Sequence, residues 1–554
     1  MSKKIKIVKI SVTILFLILS LLFPRLYRIS QAIPFHADEN FLVSSSLNLE
    51  KNNFTLPNYP YGGVPFLVLF LTFKISEFVA RFFSLVNSLN PYLHAKLLIV
   101  LVVTPLIAFE FYRCLRYLNI SKKTAFLVTA LFSINSFFVQ HTRFFIVDPF
   151  LLLFTLATFR QSLKITHSFS VKNILALGFY FGLATSTKIF SLTFLIPIIF
   201  CGYFGIKNSQ TKFQRLKCVA GAFIFVFSAA LVYCICNPFI FKDFSRVTQS
   251  LSFELKIVTG EIIMPFTMQF YNTNFLTSIN NFLHITGLEI VVVAIFGVLI
   301  LLKARKLSLL IWFIAITIPP LLSFAKHSRY LLPTVALSYI FVGLVFREIR
   351  SVWQKLALVA LFFASLCRLA SYLSPLTYEH PFLEISKKFL SSTQSATVST
   401  TPWDHGLIIP EWRSGIIFIP LNFYGDCSEK HFNDLVDSIN KVEFIVFTTQ
   451  RVPRSYAADP LTCPKISSLL YRILFEHGTE LFLYVIRSPS ILGFQYFNFC
   501  KDESLSVFDN PPALIFRRIT TFYREQFQLV EEVLTMKELC DLYTRLSNGV
   551  QRNK

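Results

Sequence analysis

Charge is scarce in this sequence. Only 15% of the residues are Asp, Glu, Lys or Arg, against 54% hydrophobic residues and 64 phenylalanines among 554. No single core could bury that much apolar surface, so a soluble globular protein is excluded and the chain reads as a polytopic membrane protein. Acid is scarcer still, 31 residues against 53 Lys and Arg, for a formal charge of +22. A nucleic-acid binder gathers its base into one patch or stripe; here Lys and Arg fall mostly in short loops between apolar segments, the pattern that sets membrane topology. No nucleic-acid partner is expected.

Other signals are missing as well. Lys3, Lys4, Lys6 and Lys9 followed by Val12–Phe23 resemble a signal peptide, but no small-residue cleavage site follows, so the segment is expected to stay as the first span. The cysteines show no metal-ligand spacing. Cys114, Cys201, Cys218, Cys234, Cys236 and Cys367 lie in or beside spans as small apolar residues, whereas Cys427, Cys463, Cys500 and Cys540 lie beyond the last span. Disulfides are allowed there if the region is extracytoplasmic, and sequence alone does not pair them. There is no internal repeat and no low-complexity tract. Glycine is sparse, 17 residues, and with the abundant Lys and Phe it suggests an AT-rich bacterial genome.

What is present is a series of apolar runs near the ~20 residues that cross a bilayer, at about 8–24, 97–113, 124–141, 146–163, 173–187, 189–206, 218–236, 288–303, 307–324, 331–346 and 355–373. A further run, Val64–Leu85, carries Lys74, Glu77 and Arg81 at helical spacing and reads as an amphipathic helix lying at the interface. With it left on the outer face, basic groups such as Arg113/Arg116/Lys122/Lys123, Arg160/Lys164/Lys172 and Lys303/Arg305/Lys306 share the cytoplasmic side. Counting it as a span would invert them. The expected fold is an α-helical polytopic membrane protein of about eleven spans, residues 1–375, with a C-terminal extracytoplasmic α/β domain, 376–520, and an amphipathic helical tail, 521–554. In the domain, 442–448, 481–486 and 514–517 read as buried strands, and 384–390 and 466–474 as helices.

Acids beside a membrane are functional-site hypotheses by default, and Phe35-His-Ala-Asp-Glu-Asn-Phe41 places Asp38 and Glu39 just beyond the first span. The pattern His36-Ala-Asp-Glu39 with its Pro-rich loop resembles the start of the polyprenyl-phosphate-dependent glycosyltransferases of family 39, which include protein mannosyltransferases and aminoarabinose transferases and have the integral-membrane GT-C architecture. Gln140-His-Thr-Arg-Phe-Phe-Ile-Val-Asp148-Pro is similar to the family's outer-loop segment, with a basic residue five positions before an Asp. Gly182-Leu-Ala-Thr-Ser-Thr-Lys188, Asn237-Pro-Phe, Asp243-Phe, Phe253-Glu, Arg329-Tyr-Leu-Leu-Pro333 and Ser504–Pro511 with Ile515-Phe-Arg517 follow in the family's order. Ala37 stands where many relatives carry Pro, Arg143 stands where some carry His, and the β-trefoil domain of eukaryotic protein O-mannosyltransferases has no counterpart.

The resemblance implies a donor that is a sugar on a polyprenyl phosphate, and an acceptor that is lipid, glycan or protein. An acceptor hydroxyl has a very high pKa, so a carboxylate must take its proton as the anomeric carbon is attacked. Asp38 is expected to be that base, with Glu39 and Asp148 as its acidic partners. Asp148 also suits the N-terminus of its own span, ahead of Pro149. Lys188, Lys326, Arg329 and Arg143, with His327 behind them, are candidates for the departing phosphate, against a simpler role in lipid-headgroup anchoring. No cofactor is required by the pattern; a divalent metal cation held by Asp38 and Glu39, with His36 beside them, is the open alternative. The localisation expected is multi-pass in a bacterial inner membrane, among membrane lipids, with site and domain outside. The rival classes are a transporter or lipid flippase, which would commonly show inverted repeats, and a catalytically silent envelope scaffold.

Overall fold

The computed structural model describes residues 18–548 apart from 30–36, 57–58, 83–89, 208–211, 265–266, 272, 305–306, 350–351, 402–406, 408–414, 476, 497–504, 508, 529 and 531. Two compact units divide it. One holds the membrane helices up to Leu255 with Phe282–Ser323 and His327–Leu369, and the other holds Lys256–Asn281, Phe324–Lys326 and Ala370 onward.

In the membrane unit ten of the eleven expected runs coincide with helices, and the described part of the first, 18–26, is helical too. Among the described residues, three helices could by length and composition cross a bilayer, Pro91–Tyr117, Ser328–Glu348 and Val352–Ser392, or four if the pair Phe275–Thr286 and Leu288–Lys303, bent by 104° about Gly287, is one span. Several other runs are shorter than their hydropathy suggested. The 124–141 run breaks at Asn135, whose side chain caps the helix Ser136–His141 by accepting from Phe138 N–H, and the 189–206 run opens with a 3-10 turn, Ile189–Phe194. Apolarity fixes where a run lies, while side-chain caps decide where its helix stops.

The middle of the unit is Leu332–Glu348, buried on every side from Leu332 to Phe346, as a helix apolar all round must be. Val171–Thr185 approaches Lys212–Cys236 through Gly178 and Gly182, where an added Cβ would stand 2.7 Å from Phe225 O and 2.8 Å from Ala229 O. That small-xxx-small pair lets two membrane backbones touch. Val64–Phe82 buries Val64, Phe66 and Leu69 and exposes Leu71, Ile75 and Phe78 beside Lys74, and among the described residues it is not one of the helices apolar and long enough to span.

In the second unit, β1 (Ala396–Thr400), β2 (Ile416–Pro420), β3 (Phe444–Phe447), β4 (Thr479–Val485) and β7 (Ala513–Arg518) form a sheet in the order β2-β1-β3-β7-β4, with β5 (Ser490–Ile491) and β6 (Phe494–Gln495) making a small hairpin. The inner strands sort their side chains by alternation. Ile445, Phe447, Leu514 and Phe516 face a core closed by helices Glu429–Ile439, Arg451–Ala458 and Pro464–Leu474. Phe444, Val446, Ala513 and Ile515 face Ile385 and Phe389 of Pro381–Ser392.

The expected strands and helices are all found here; β1, β2, Glu429–Ile439 and Arg451–Ala458 are additional. The tail helix Met536–Ser547 packs Leu539, Leu542, Tyr543 and Leu546 into the first of these cores, so the tail docks on the domain. Cys427 is bonded to Cys463 with Cα atoms 5.3 Å apart, and Cys540 is disulfide-bonded too. Asp509 of the Phe-Asp-Asn-Pro motif accepts from Tyr372 O–H at 2.6 Å, and Asn510 donates to Arg487 O at 2.5 Å, which gives that motif a structural task at the end of the last membrane helix.

Candidate active site

Four loops of the membrane unit meet at one place. Asp38 lies in the first turn of Ala37–Leu47, where a carboxylate is favoured by the helix dipole, and is bonded to Arg329 Nη1. Arg329 comes from the 3-10 turn Ser328–Leu331 that leads into the central helix. Asp148 opens Asp148–Ile165 ahead of Pro149, with Oδ1 3.6 Å from Lys188 Nζ. Tyr330 joins the two pairs: Lys188 Nζ sits 4.1 Å from its ring centre and the Arg329 guanidinium 5.6 Å. His327 meets the same ring edge-on at 5.7 Å. Arg329 Nε and Asp148 Oδ2 are buried here without a hydrogen-bond partner among the described residues.

The loop ahead of Val64 supplies Tyr61, whose phenol pKa burial raises far above its ordinary value of 10.0, with the nearby Asp38 charge adding to the rise. Gly62 and Gly63 are what bring it there. An added Cβ would stand 2.1 Å from Ser186 O at Gly62 and 1.9 Å from Cys236 O at Gly63, so only glycine fits. The loop is then stitched down: Gly62 N–H donates to Thr187 O at 3.1 Å, Val64 N–H to Ser186 O at 3.1 Å, and Gly63 N–H to Asn237 Oδ1 at 2.7 Å. The Thr-Ser-Thr-Lys and Asn-Pro-Phe motifs therefore work as seats for the loop. Glu254 is a further acid near the cluster: burial raises its carboxyl pKa, the Lys188 and Arg329 charges oppose that rise, and Asp38 adds to it.

The structure corrects three expectations. Glu39 does not share Asp38's surroundings; it turns into the protein, accepts from Phe145 N–H at 2.9 Å and pairs with Lys96 at 3.5 Å, while Lys96 also lies 5.4 Å from the Phe144 ring centre. Neighbouring residues on a helix point about 100° apart, so the two acids do not converge on one cation. Among the described residues no group of three or more His, Cys, Asp and Glu is arranged to hold a metal, and His36 lies outside the described residues. Arg143 donates to Pro24 O and Tyr27 O, both at 2.8 Å, and thereby caps the end of the first helix. The candidate Lys326 has an ammonium pKa that burial lowers.

Lys96 and Tyr61 escaped the sequence reading. Lys96 stands directly before the 97–113 run, and its only signal was that a lone cation there needs a partner.

Residues 70–249 match the family model of the dolichyl-phosphate-mannose-protein mannosyltransferases. The chain is a membrane glycosyltransferase that uses a lipid-linked sugar. The matched segment contains Lys96, Asp148, Lys188 and Asn237, and Asp38 and Arg329 flank it on either side. No curated protein matches the sequence. Among solved structures the chain is similar to ArnT from Cupriavidus metallidurans bound to undecaprenyl phosphate, with 12% identity, a TM-score of 0.49 and coverage of 71% of this chain and 73% of that one. It is also similar to the apo state of ArnT, at 14%, 0.45, 68% and 66%. The S. cerevisiae Pmt1–Pmt2 protein O-mannosyltransferase complex bound to the sugar donor gives 16%, 0.32, 42% and 34%. Likenesses this distant carry none of the functional reading below.

Proposed function

We propose that this glycosyltransferase moves one monosaccharide from a polyprenyl-phosphate carrier to a hydroxyl acceptor outside the cytoplasm, by single displacement with inversion. The observation that carries the reading is the Asp38–Arg329 pair, in which the arginine keeps a buried, unpartnered Nε beside a carboxylate that is 21% exposed. A buried donor left unmade costs about 1–3 kcal/mol, and a phosphate oxygen would satisfy it. Arg329 then grips the leaving phosphate, Lys188 adds a second charge at it, and Asp38 is released to take the acceptor's proton. Asp148 holds Lys188 in place. Tyr61, kept neutral by burial, offers an O–H to the sugar or the phosphate.

The site and the C-terminal domain are proposed to lie outside a bacterial inner membrane. The alternation of basic loops supports this orientation, and so does the Cys427–Cys463 disulfide, which belongs to an oxidising compartment. The Gly-poor, Lys- and Phe-rich composition favours undecaprenyl phosphate as the carrier.

The test is reconstitution of the purified chain in liposomes with undecaprenyl-phosphate sugars labelled in the sugar, followed by mass spectrometry of the acceptor fraction from its own envelope and NMR of the product's anomeric centre. Transfer with an inverted anomer is expected. Label that crosses the bilayer while still on its carrier would identify a flippase instead.

A further inference from the structure

We propose that the end of the membrane unit remote from Asp38 binds the phosphate of an anionic phospholipid headgroup between Arg113, Arg160 and Lys164. Asp148–Ile165 carries both places. It begins at Asp148 in the active site, and Arg160 and Lys164 follow about 18 and 24 Å along it at 1.5 Å per residue. Beside it runs Thr104–Tyr117, whose Glu110 accepts from Arg160 Nε and, through its other oxygen, from Arg113 Nη1 at 3.1 Å. Arg160 is 3% exposed and also reaches Gln161 Oε1 at 3.4 Å. Lys164 lies one turn beyond, half-buried. Burial lowers its ammonium pKa, and the charges of Arg160, Arg113 and Lys172 lower it further while Glu110 alone opposes them.

One carboxylate thus pairs with two arginines, and a third cation, Lys164, stands one turn further on without a share of it. Arg113 keeps 41% of its side-chain surface, but the sunken Arg160 and the half-buried Lys164 are shielded from bulk counter-ions. A cation whose only role is topology needs no burial, yet Arg160 is sunk among helices. The surroundings name the missing anion. Leu106 and Phe109 on one helix, and Val171 and Leu175 on the next, are apolar and 43–57% exposed, a surface for acyl chains, and Arg113 lies 5.5 Å from the Phe109 ring centre. Basic clefts between membrane helices take anionic headgroups, and the arginine fork matches two oxygens of a phosphodiester.

The test uses the full chain in nanodiscs of phosphatidylcholine with or without about a fifth of phosphatidylglycerol, read by native mass spectrometry for retained lipid and by melting temperature. Wild type is expected to keep phosphatidylglycerol selectively and to melt higher in its presence. Lys164→Gln, which leaves the Glu110–Arg160 pair intact, should retain it roughly fivefold less well, and Arg113→Gln/Lys164→Gln should lose both effects. Equal retention by wild type and the double variant overturns the site. Millimolar inorganic phosphate in phosphatidylcholine discs should leave the melting temperature unchanged; a rise equal to that with phosphatidylglycerol would mean that free phosphate, not a lipid, is the ligand, and would overturn the assignment.

Discussion

The Asp38–Arg329 and Glu39–Lys96 pairs start from adjacent carboxylates and reach opposite states. Asp38 and Arg329 keep 21% and 15% of their side-chain surface, and Glu39 and Lys96 keep 0% and 4%. The first pair stands at a meeting of four loops, with unsatisfied polar atoms around it. The second is sealed beneath Phe144 and fixes the helix that presents Asp38 to the strand of chain leading into Asp148. Tyr92 strengthens that clamp, donating its O–H to Asn40 Oδ1 at 2.7 Å from one turn before Lys96. Chemistry needs access and replaceable partners, whereas positioning needs the reverse, and a helix separates the two tasks by a single residue.

The comparison breaks first at the sealed pair. Glu39→Ala should destabilise the protein by about 3–5 kcal/mol, because it strands a buried ammonium, and thermal unfolding in detergent measures this. Glu39→Leu/Lys96→Met should recover most of the loss. If Glu39→Ala melts like wild type yet transfers no sugar, Glu39 is a chemical partner of Asp38 after all.

Asp38→Asn should leave the melting temperature nearly unchanged and lower turnover by roughly 10²-fold, the scale of general-base catalysis. Donor binding, followed by retention of labelled carrier lipid, should persist. Near-normal turnover would take the base role from Asp38. A smaller effect is expected of Arg329→Lys, which keeps the charge and loses the fork; transfer should fall about tenfold, the worth of one charged hydrogen bond of about 1.5 kcal/mol. Unchanged transfer would make Arg329 an anchor.

The smallest effect concerns Glu254. Its folded pKa is raised above the ordinary 4.5, so the folded state holds the proton more tightly than the unfolded state between those two pKa values. Stability should therefore fall as pH rises from 4.5 through the raised value. Glu254→Gln should abolish that decline, leaving stability at pH 4 unaltered and raising it slightly at pH 7. A variant whose melting temperature follows the wild-type pH curve would show that burial does not penalise this carboxylate.

Much of the site was legible residue by residue. Asp38, Asp148, Lys188 and Arg329 are charged groups at the ends of apolar runs, where the cost of burying charge makes each conspicuous. Tyr61 was hidden because a tyrosine in a Pro- and Gly-rich loop looks like surface, and its burial depends on the carbonyls of Ser186 and Cys236, more than a hundred residues away. Arg143 misled because its spacing to Asp148 was right while the carbonyls it caps belong to the first helix. In the second unit strands β3, β4 and β7 were plain from their apolar runs. Strand β1 was not, since Ala396–Thr400 has little hydrophobicity and becomes a strand by pairing with β2 and β3 on either side.

By itself the sequence determined that the chain is a membrane protein with a water-soluble end, where its apolar runs lie, and which charged residues stand out at their ends, because transfer free energy is summed along the chain and needs no partner. Tertiary structure alone decided that Asp38 meets Arg329 while Glu39 turns to Lys96, that Tyr-Gly-Gly is pressed onto two distant backbones, and that one glutamate pairs with two arginines at the other end of the unit. Those outcomes depend on direction and on close approach between segments far apart in sequence, and neither is encoded in spacing.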